Sequence, residues 1–180
     1  METVLIAIGI VLFIIIIWFI SVSNKFNRLI IKVDEAISGI DVALTKRYDV
    51  LTKMIEVVKG YTKHEKEIMF KIVELRNNMT IAEKSKVNES MNENFDKINI
   101  LVENYPNLKA SDNFKTLQKA IIDVEEHLQA SRRLYNANVS LYNEKVLSFP
   151  SSIVAKIKGL TKKDFFTAKE VERDNVDINI

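Results

Sequence analysis

Residues 114–149 read FKTLQKAIIDVEEHLQASRRLYNANVSLYNEKVLSF. Phe114, Ile121, Leu128, Tyr135, Tyr142 and Phe149 stand seven apart, with Leu117 and Val124 at intervening core positions. An apolar repeat sustained at about 3.5 residues predicts one long helix, packed in left-handed, coiled-coil fashion within a bundle. Ser111 or Asp112 is the expected cap. Phe149-Pro150 is the expected stop, because proline has no amide proton to continue the helical ladder.

Outward from this helix the pattern stays helical. Asn104-Tyr105-Pro106 ends a shorter segment that carries Phe95, Ile98, Leu101 and Val102, opened by a capping box at Ser90-Met91-Asn92-Glu93. The polar run Glu83–Asn88 reads as a connection. Before it, Ile68, Ile72, Leu75, Met79 and Ala82 predict a second helix, started by a capping box at Thr62-Lys63-His64-Glu65. A first amphipathic helix carries Ile37, Ile40, Leu44, Leu51, Met54, Ile55 and Val58, with Gly60 as the first plausible break. With 4 glycines and 2 prolines in 180 residues, the chain favours long uninterrupted helices, and no strand pattern of useful length appears.

Asn24–Val58 and Asp112–Ser148 would each span roughly 50–55 Å as helices and match as partners. The expected fold class is all-α: an N-terminal single transmembrane helix followed by an antiparallel up-and-down four-helix bundle. The alternative is one rod from the membrane through Gly60, which would give a three-helix bundle. Ser21–Lys25 hold no proline or glycine, and Gly60 costs only about 1 kcal/mol inside a helix. The expected organisation is an anchor over 1–22, a bundle over 23–168 and a loose tail over 169–180.

The anchor is Val4–Ile20, VLIAIGIVLFIIIIWFI, which contains no charge and one glycine. About 17–20 helical residues cross the ~30 Å hydrocarbon core of a bilayer. No small-residue cleavage site follows the run and no lysine or arginine precedes it, so it reads as retained. Trp18 and Phe19 fall where an interfacial aromatic belt lies. Glu2 precedes the run, while Lys25, Arg28 and Lys32 follow it. The positive-inside rule then places the bundle in the cytoplasm and the short N-terminus outside.

Composition narrows the function. All 26 basic residues lie at or beyond Lys25, against 23 acids there, so the body is close to neutral and lacks the charge excess of a nucleic-acid binder. The absence of cysteine removes disulfides, thiolate metal sites, cysteine nucleophiles and a lipid-modified cysteine anchor. The glycines, at 9, 39, 60 and 159, form no phosphate-cradling loop. Di-iron bundles use Glu-x-x-His pairs, but Tyr61 and Val124 stand three residues before the two histidines, His64 and His127. Asp123, Glu125, Glu126 and His127 read as a solvated polar face.

Several stretches together resemble the LemA family over essentially the whole chain. They are Gly39–Leu51 (GIDVALTKRYDVL), Val57–Glu65 (VVKGYTKHE) and Tyr105–Ala110 (YPNLKA). Asn113-Phe114, Leu117-Gln118, Arg132, Tyr135-Asn136, Tyr142-Asn143, Phe149-Pro150 and Ala155 follow in the family's order. A proline that the family often carries near Asp49–Leu51 is absent, and residues 76–92 match no strong pattern. The resemblance implies a bacterial membrane-anchored antiparallel four-helix bundle with no established enzymatic activity. Some members of the family are linked to magnetosome membranes and others were first noticed as surface-presented epitopes.

No catalytic, cofactor or metal residue is expected. Candidate interaction residues are Asp41, Arg47, His64, Arg132, Tyr135, Asn136, Tyr142 and Asn143. Asp41, Arg47 and Arg132 suit interhelical ion pairs, the tyrosines suit core positions with hydroxyls seeking an edge partner, and the asparagines suit cross-links to neighbouring helices. In an up-and-down bundle the segment after Phe149 returns towards the bilayer, so Lys156, Lys158, Lys162, Lys163, Phe165 and Phe166 are candidates for a membrane surface. The bland reading of that segment is a short helix folded on the bundle's end. The expected function is a non-enzymatic membrane-tethered scaffold or interaction module. Its expected partners are the lipid bilayer, another membrane or envelope protein, and itself as a homo-oligomer, with no nucleic acid and no cofactor. The alternatives are a surface-exposed adhesin-like protein and, ranked lower, a metal-binding accessory bundle.

Overall fold

The structure, a computed structural model, describes residues 1–61, 75–76 and 78–167. It comprises α1 (Glu2–Tyr61), α2 (Ile81–Glu103), α3 (Pro106–Ala110), α4 (Asp112–Leu147) and α5 (Ser151–Ile157), with no strand among the described residues. The capping box expected at Thr62, His64, and the second helix from Ile68 as far as residue 74 lie outside the described residues.

α1 is a single helix of 60 residues that includes Gly60. Its apolar N-terminal stretch is long enough to cross a membrane, and the most apolar 18-residue window is 0% buried. Beyond that stretch the helix changes character without a break. Phe26, Val33, Ile40, Arg47 and Met54 are all buried and stand seven apart, with Ala36, Ala43, Leu44, Leu51 and Val58 completing the stripe. α4 repeats the pattern with Phe114, Ile121, Leu128, Tyr135 and Tyr142. Phe149 departs from it: α4 ends at Leu147, and Phe149, expected in the core, is 83% exposed.

α2 corrects the expectation for residues 79–102. The helix begins after Thr80, whose hydroxyl accepts from the Glu83 amide (3.2 Å) while the Glu83 carboxylate accepts from the Thr80 amide (2.7 Å). Glu83–Asn88 is therefore helix and not connection, Met79 precedes the helix, and the capping box sits ten residues before Ser90. The cause is visible in the buried stripe Lys84, Asn88, Met91, Asn94, Ile98 and Val102: three of its six positions are polar, so the apolar period fades where the helix starts. Asn104 caps its end, and Pro106 then opens α3 at N1, where its missing amide costs nothing. Ser111 caps α4, accepting from the Phe114 amide at 3.3 Å.

The chain groups into two compact units. The first comprises Met1–Ile37 and Leu134–Asp164. In it Phe26 meets Tyr142 edge to face at 6.2 Å, and Asn138 donates to the Lys32 carbonyl at 3.0 Å. Partner numbers on α4 fall as those on α1 rise. The second unit comprises Ser38–Arg133 and Phe165–Ile180. There Arg47 meets Glu125. Gly39 faces Ser131 so closely that a Cβ would stand 3.5 Å from its hydroxyl, in ordinary contact. The same falling sequence holds, whereas α1–α2 pairs rise together: Asp41 with Lys84, and Arg47 with Asn88 and Asn92.

α5 ends in a Schellman turn. Gly159 takes φ +65°, its amide reaches the Lys156 carbonyl (3.1 Å), and the Leu160 amide reaches Ala155 (2.9 Å). Residues 160–167 then run on without regular structure.

Candidate interaction sites

The second unit holds a polar layer in its interior. Arg47 is 4% exposed at a heptad position whose neighbours on the stripe, Ile40 and Met54, are fully buried and apolar. Its guanidinium donates to Asn88 Oδ1 through Nη1 and to Asn92 Oδ1 through Nη2 at 2.7 Å. Glu125 Oε2 lies 2.8 Å from Nη2 as an ion pair without hydrogen-bond alignment, and no donor is aligned on that oxygen. Burial pulls the Arg47 pKa below its ordinary value; Arg132 adds to this, while Glu125 and Asp96 oppose it. Guanidinium remains charged at any physiological pH, so the layer is a buried cation held by one carboxylate and two amides from two other helices.

Asp41 pairs with Lys84, whose side chain is only 5% exposed. The Arg132 guanidinium lies over the Phe166 ring, 4.7 Å from its centroid. The sequence-expected ion-pairing residues thus divide: Asp41 and Arg47 do pair across helices, while Arg132 stacks on an aromatic ring. Their partners Lys84, Asn88, Asn92 and Glu125 escaped sequence reading. Glu125 in particular turns one carboxylate oxygen, Oε2, inward from the face read as solvated. Beside this layer a groove of about 300 Å³ is lined by Arg47, Asn92, Phe95, Ile121, Ile122, Glu125 and Glu126.

In the first unit the Tyr and Asn pairs of α4 hold the segment after α5. The Tyr135 hydroxyl donates to the Asp164 carbonyl at 2.7 Å. Asn143 makes a reciprocal pair with the Lys163 backbone: its amide donates to the carbonyl and its oxygen accepts from the amide proton, both at 2.9 Å. Tyr142 is buried against Phe26, with the Lys163 ammonium 5.7 Å above its ring. Burial raises the pKa of both tyrosines, and the nearby Asp164 raises that of Tyr135 further. Asn143 therefore ties an irregular segment to α4 where a link to a neighbouring helix was expected. That inter-helix role falls to Asn138, one residue position the motif reading passed over. Asn136 has partners of its own.

The membrane-surface candidates also divide. Phe166 is 3% exposed beneath Arg132, so it is a core residue and not a surface one. Phe165, Lys156 and Lys162 are exposed. Lys158 donates to Ser23 Oγ and Asn27 Oδ1, each at 2.9 Å, and Lys163 is held as described.

The LemA family model matches residues 36–180. Protein LemA of Metamycoplasma hominis is 30% identical over 159 residues, 86% of this chain and 73% of that protein. Magnetosome protein MamQ of Magnetospirillum gryphiswaldense is 28% identical over 69 residues, 38% of this chain and 25% of that protein. Magnetosome protein MamQ 2 of Paramagnetospirillum magneticum is 29% identical over the same length. The chain therefore spans about a quarter of the magnetosome proteins it matches.

Proposed function

The chain belongs to the LemA family, and on that premise we propose that it is a non-enzymatic, membrane-tethered scaffold that binds another membrane or envelope protein. One observation carries the reading: α1 continues as a single helix from an exposed apolar stretch of membrane-crossing length into a buried heptad stripe. A span and a buried stripe share one continuous helix, so whatever docks on the bundle is tethered to the bilayer. The polar groups clustered inside the second unit are engaged with one another, which suits fixing the register of helices better than turning over a substrate.

The finer architecture belongs to the same proposal. Falling α1–α4 pairs and rising α1–α2 pairs, α4 antiparallel and α2 parallel to α1, suit an antiparallel up-and-down four-helix bundle. The charge step from Glu2 to Lys25, Arg28 and Lys32 supports a cytoplasmic bundle.

The test is photo-crosslinking in the native bacterial membrane. A photoreactive side chain replaces Ile122, 57% exposed beside the groove, and separately Ile100, 67% exposed. The expected result is a discrete adduct of defined mass, with a membrane protein or with a second copy. Adducts with lipid alone, or none from either position, contradict the scaffold reading.

A further inference from the structure

The elbow between α4 and α5 carries an apolar surface that the packing of the chain leaves uncovered. Leu147 is 63% exposed, Phe149 83%, Ile153 46% and Ile157 67%. Ile153 and Ile157 stand four apart on α5 and share one face, while Ser151, Val154 and Ala155 turn inward; Phe149 lies in the turn between the two helices. The usual amphipathic arrangement puts polar residues outside. Here α5 exposes Ile153 and Ile157 beside Lys156, and large apolar side chains left exposed together with Leu147 and Phe149 of the elbow mark a contact surface.

The register within the first unit says what lies opposite that face. Phe26 sits against Tyr142, and α4 continues from there for five residues to Leu147. Five residues cover about 7.5 Å along a helix. Five residues back along α1 from Phe26 is Ser21, the residue after the apolar run Val4–Ile20. Leu147 therefore comes level with the end of that run, and the turn that carries Phe149 begins there. Lys158 makes the same placement independently: its ammonium bonds Ser23 and Asn27, holding the end of α5 within one turn or two of Ile20.

We propose that the α4–α5 elbow is a second membrane contact, with Leu147, Phe149, Ile153 and Ile157 seated in the interfacial layer of the bilayer that α1 crosses. The inference rests on the reading of the α1 run as a membrane span. It differs from a lysine-rich surface contact in its residues: Phe166 is buried, Lys158 is tied to α1, and the aliphatic and aromatic side chains of the elbow carry the binding. Two separated points of attachment prevent the membrane end of α1 from swivelling about its own axis and fix which face of the first unit looks along the membrane.

The test uses the full chain, reconstituted in vesicles of equal parts phosphatidylcholine and phosphatidylglycerol. No native cysteine competes for label. An environment-sensitive fluorophore is attached to Phe149→Cys, to Ile153→Cys, to Ile14→Cys within the span, and to Asn113→Cys as an exposed reference. The expected result is a blue shift at positions 149 and 153 and loss of most of their emission to nitroxide lipids labelled near the headgroup, with protection from aqueous iodide. The probe at 14 should respond to nitroxides placed deep in the chains, and the probe at 113 to iodide alone. If 149 and 153 behave like 113 while 14 lies in lipid, the elbow proposal is overturned and the span stands. If 149 and 153 are shielded from both quenchers, protein covers the elbow, and the proposal is overturned in favour of a second copy. If 14 itself is open to iodide, the span and the elbow contact fall together.

Discussion

Arg47 is the residue on which the second unit turns. A guanidinium at a heptad core position is costly to dehydrate, and its attraction to Glu125 offsets that cost only while both charges are present. Arg47→Ala should therefore cost about 3–5 kcal/mol in denaturant unfolding of the detergent-solubilised full chain, because it strands Glu125. Adding Glu125→Leu to Arg47→Met should recover most of the loss, since no orphaned charge remains. Equal losses in the single and double variants would show that the pair itself, and not the stranded charge, dominates. Tyr135 makes a different prediction. Its pKa in the folded chain is raised above the ordinary 10.0, so the neutral hydroxyl that donates to Asp164 is favoured by folding. That stability is fully present below pH 10 and is lost as pH rises through the higher folded value. The alkaline fall in stability should be shallower in Tyr135→Phe, and an unchanged slope would contradict this role. At this scale the sequence pointed to Asp41 and Arg47 as ion-pairing residues but not to their partners. Glu125 lies among Asp123, Glu126 and His127, and which of four adjacent polar residues turns inward depends on the helix opposite.

Elements were legible where apolar residues kept the period. The long α4, its Ser111 cap and its end before Pro150 could be read from the chain, as could the passage of α1 from the apolar run into the stripe, because no proline or glycine intervenes at Ser21–Lys25. α2 was not legible at its start. Lys84 and Asn88 occupy core positions as partners of Asp41 and Arg47, and a period written partly in polar residues does not register as one. Its true cap gives a test. Thr80→Ala should cost about 1 kcal/mol and speed hydrogen exchange across the first turn of α2, while Ser90→Ala should leave that turn unchanged. The Glu83 carboxyl is held below its ordinary pKa first by the Thr80 backbone amide and then by the Thr80 hydroxyl. A lowered carboxylate pKa stabilises above its unfolded value and is lost as pH falls through the folded one. The first turn of α2 should accordingly fray on acidification before the interior heptads do.

Over the whole molecule, the membrane-length apolar helix and the family were both readable in the chain, the first from hydropathy and the second from short motifs spread over its length. The structure explains two of those motifs physically. Tyr135-Asn136 and Tyr142-Asn143 lie on α4, where Tyr135 and Asn143 clamp residues 163–164 to it. The exposed elbow at Phe149 could not be read, because its place in the heptad predicts burial and only the end of α4 at Leu147 removes it from the core.

The central claim, a span that holds its bundle on the cytoplasmic face, is tested most directly by topology. Thr3→Cys and Asn113→Cys, made separately in the cysteine-free chain, would be exposed in intact bacteria to a membrane-impermeant maleimide. The account predicts labelling at position 3, with position 113 reached only after the cells are opened. Labelling of position 113 in intact cells, with position 3 protected, would reverse the orientation and place the bundle on the outer face.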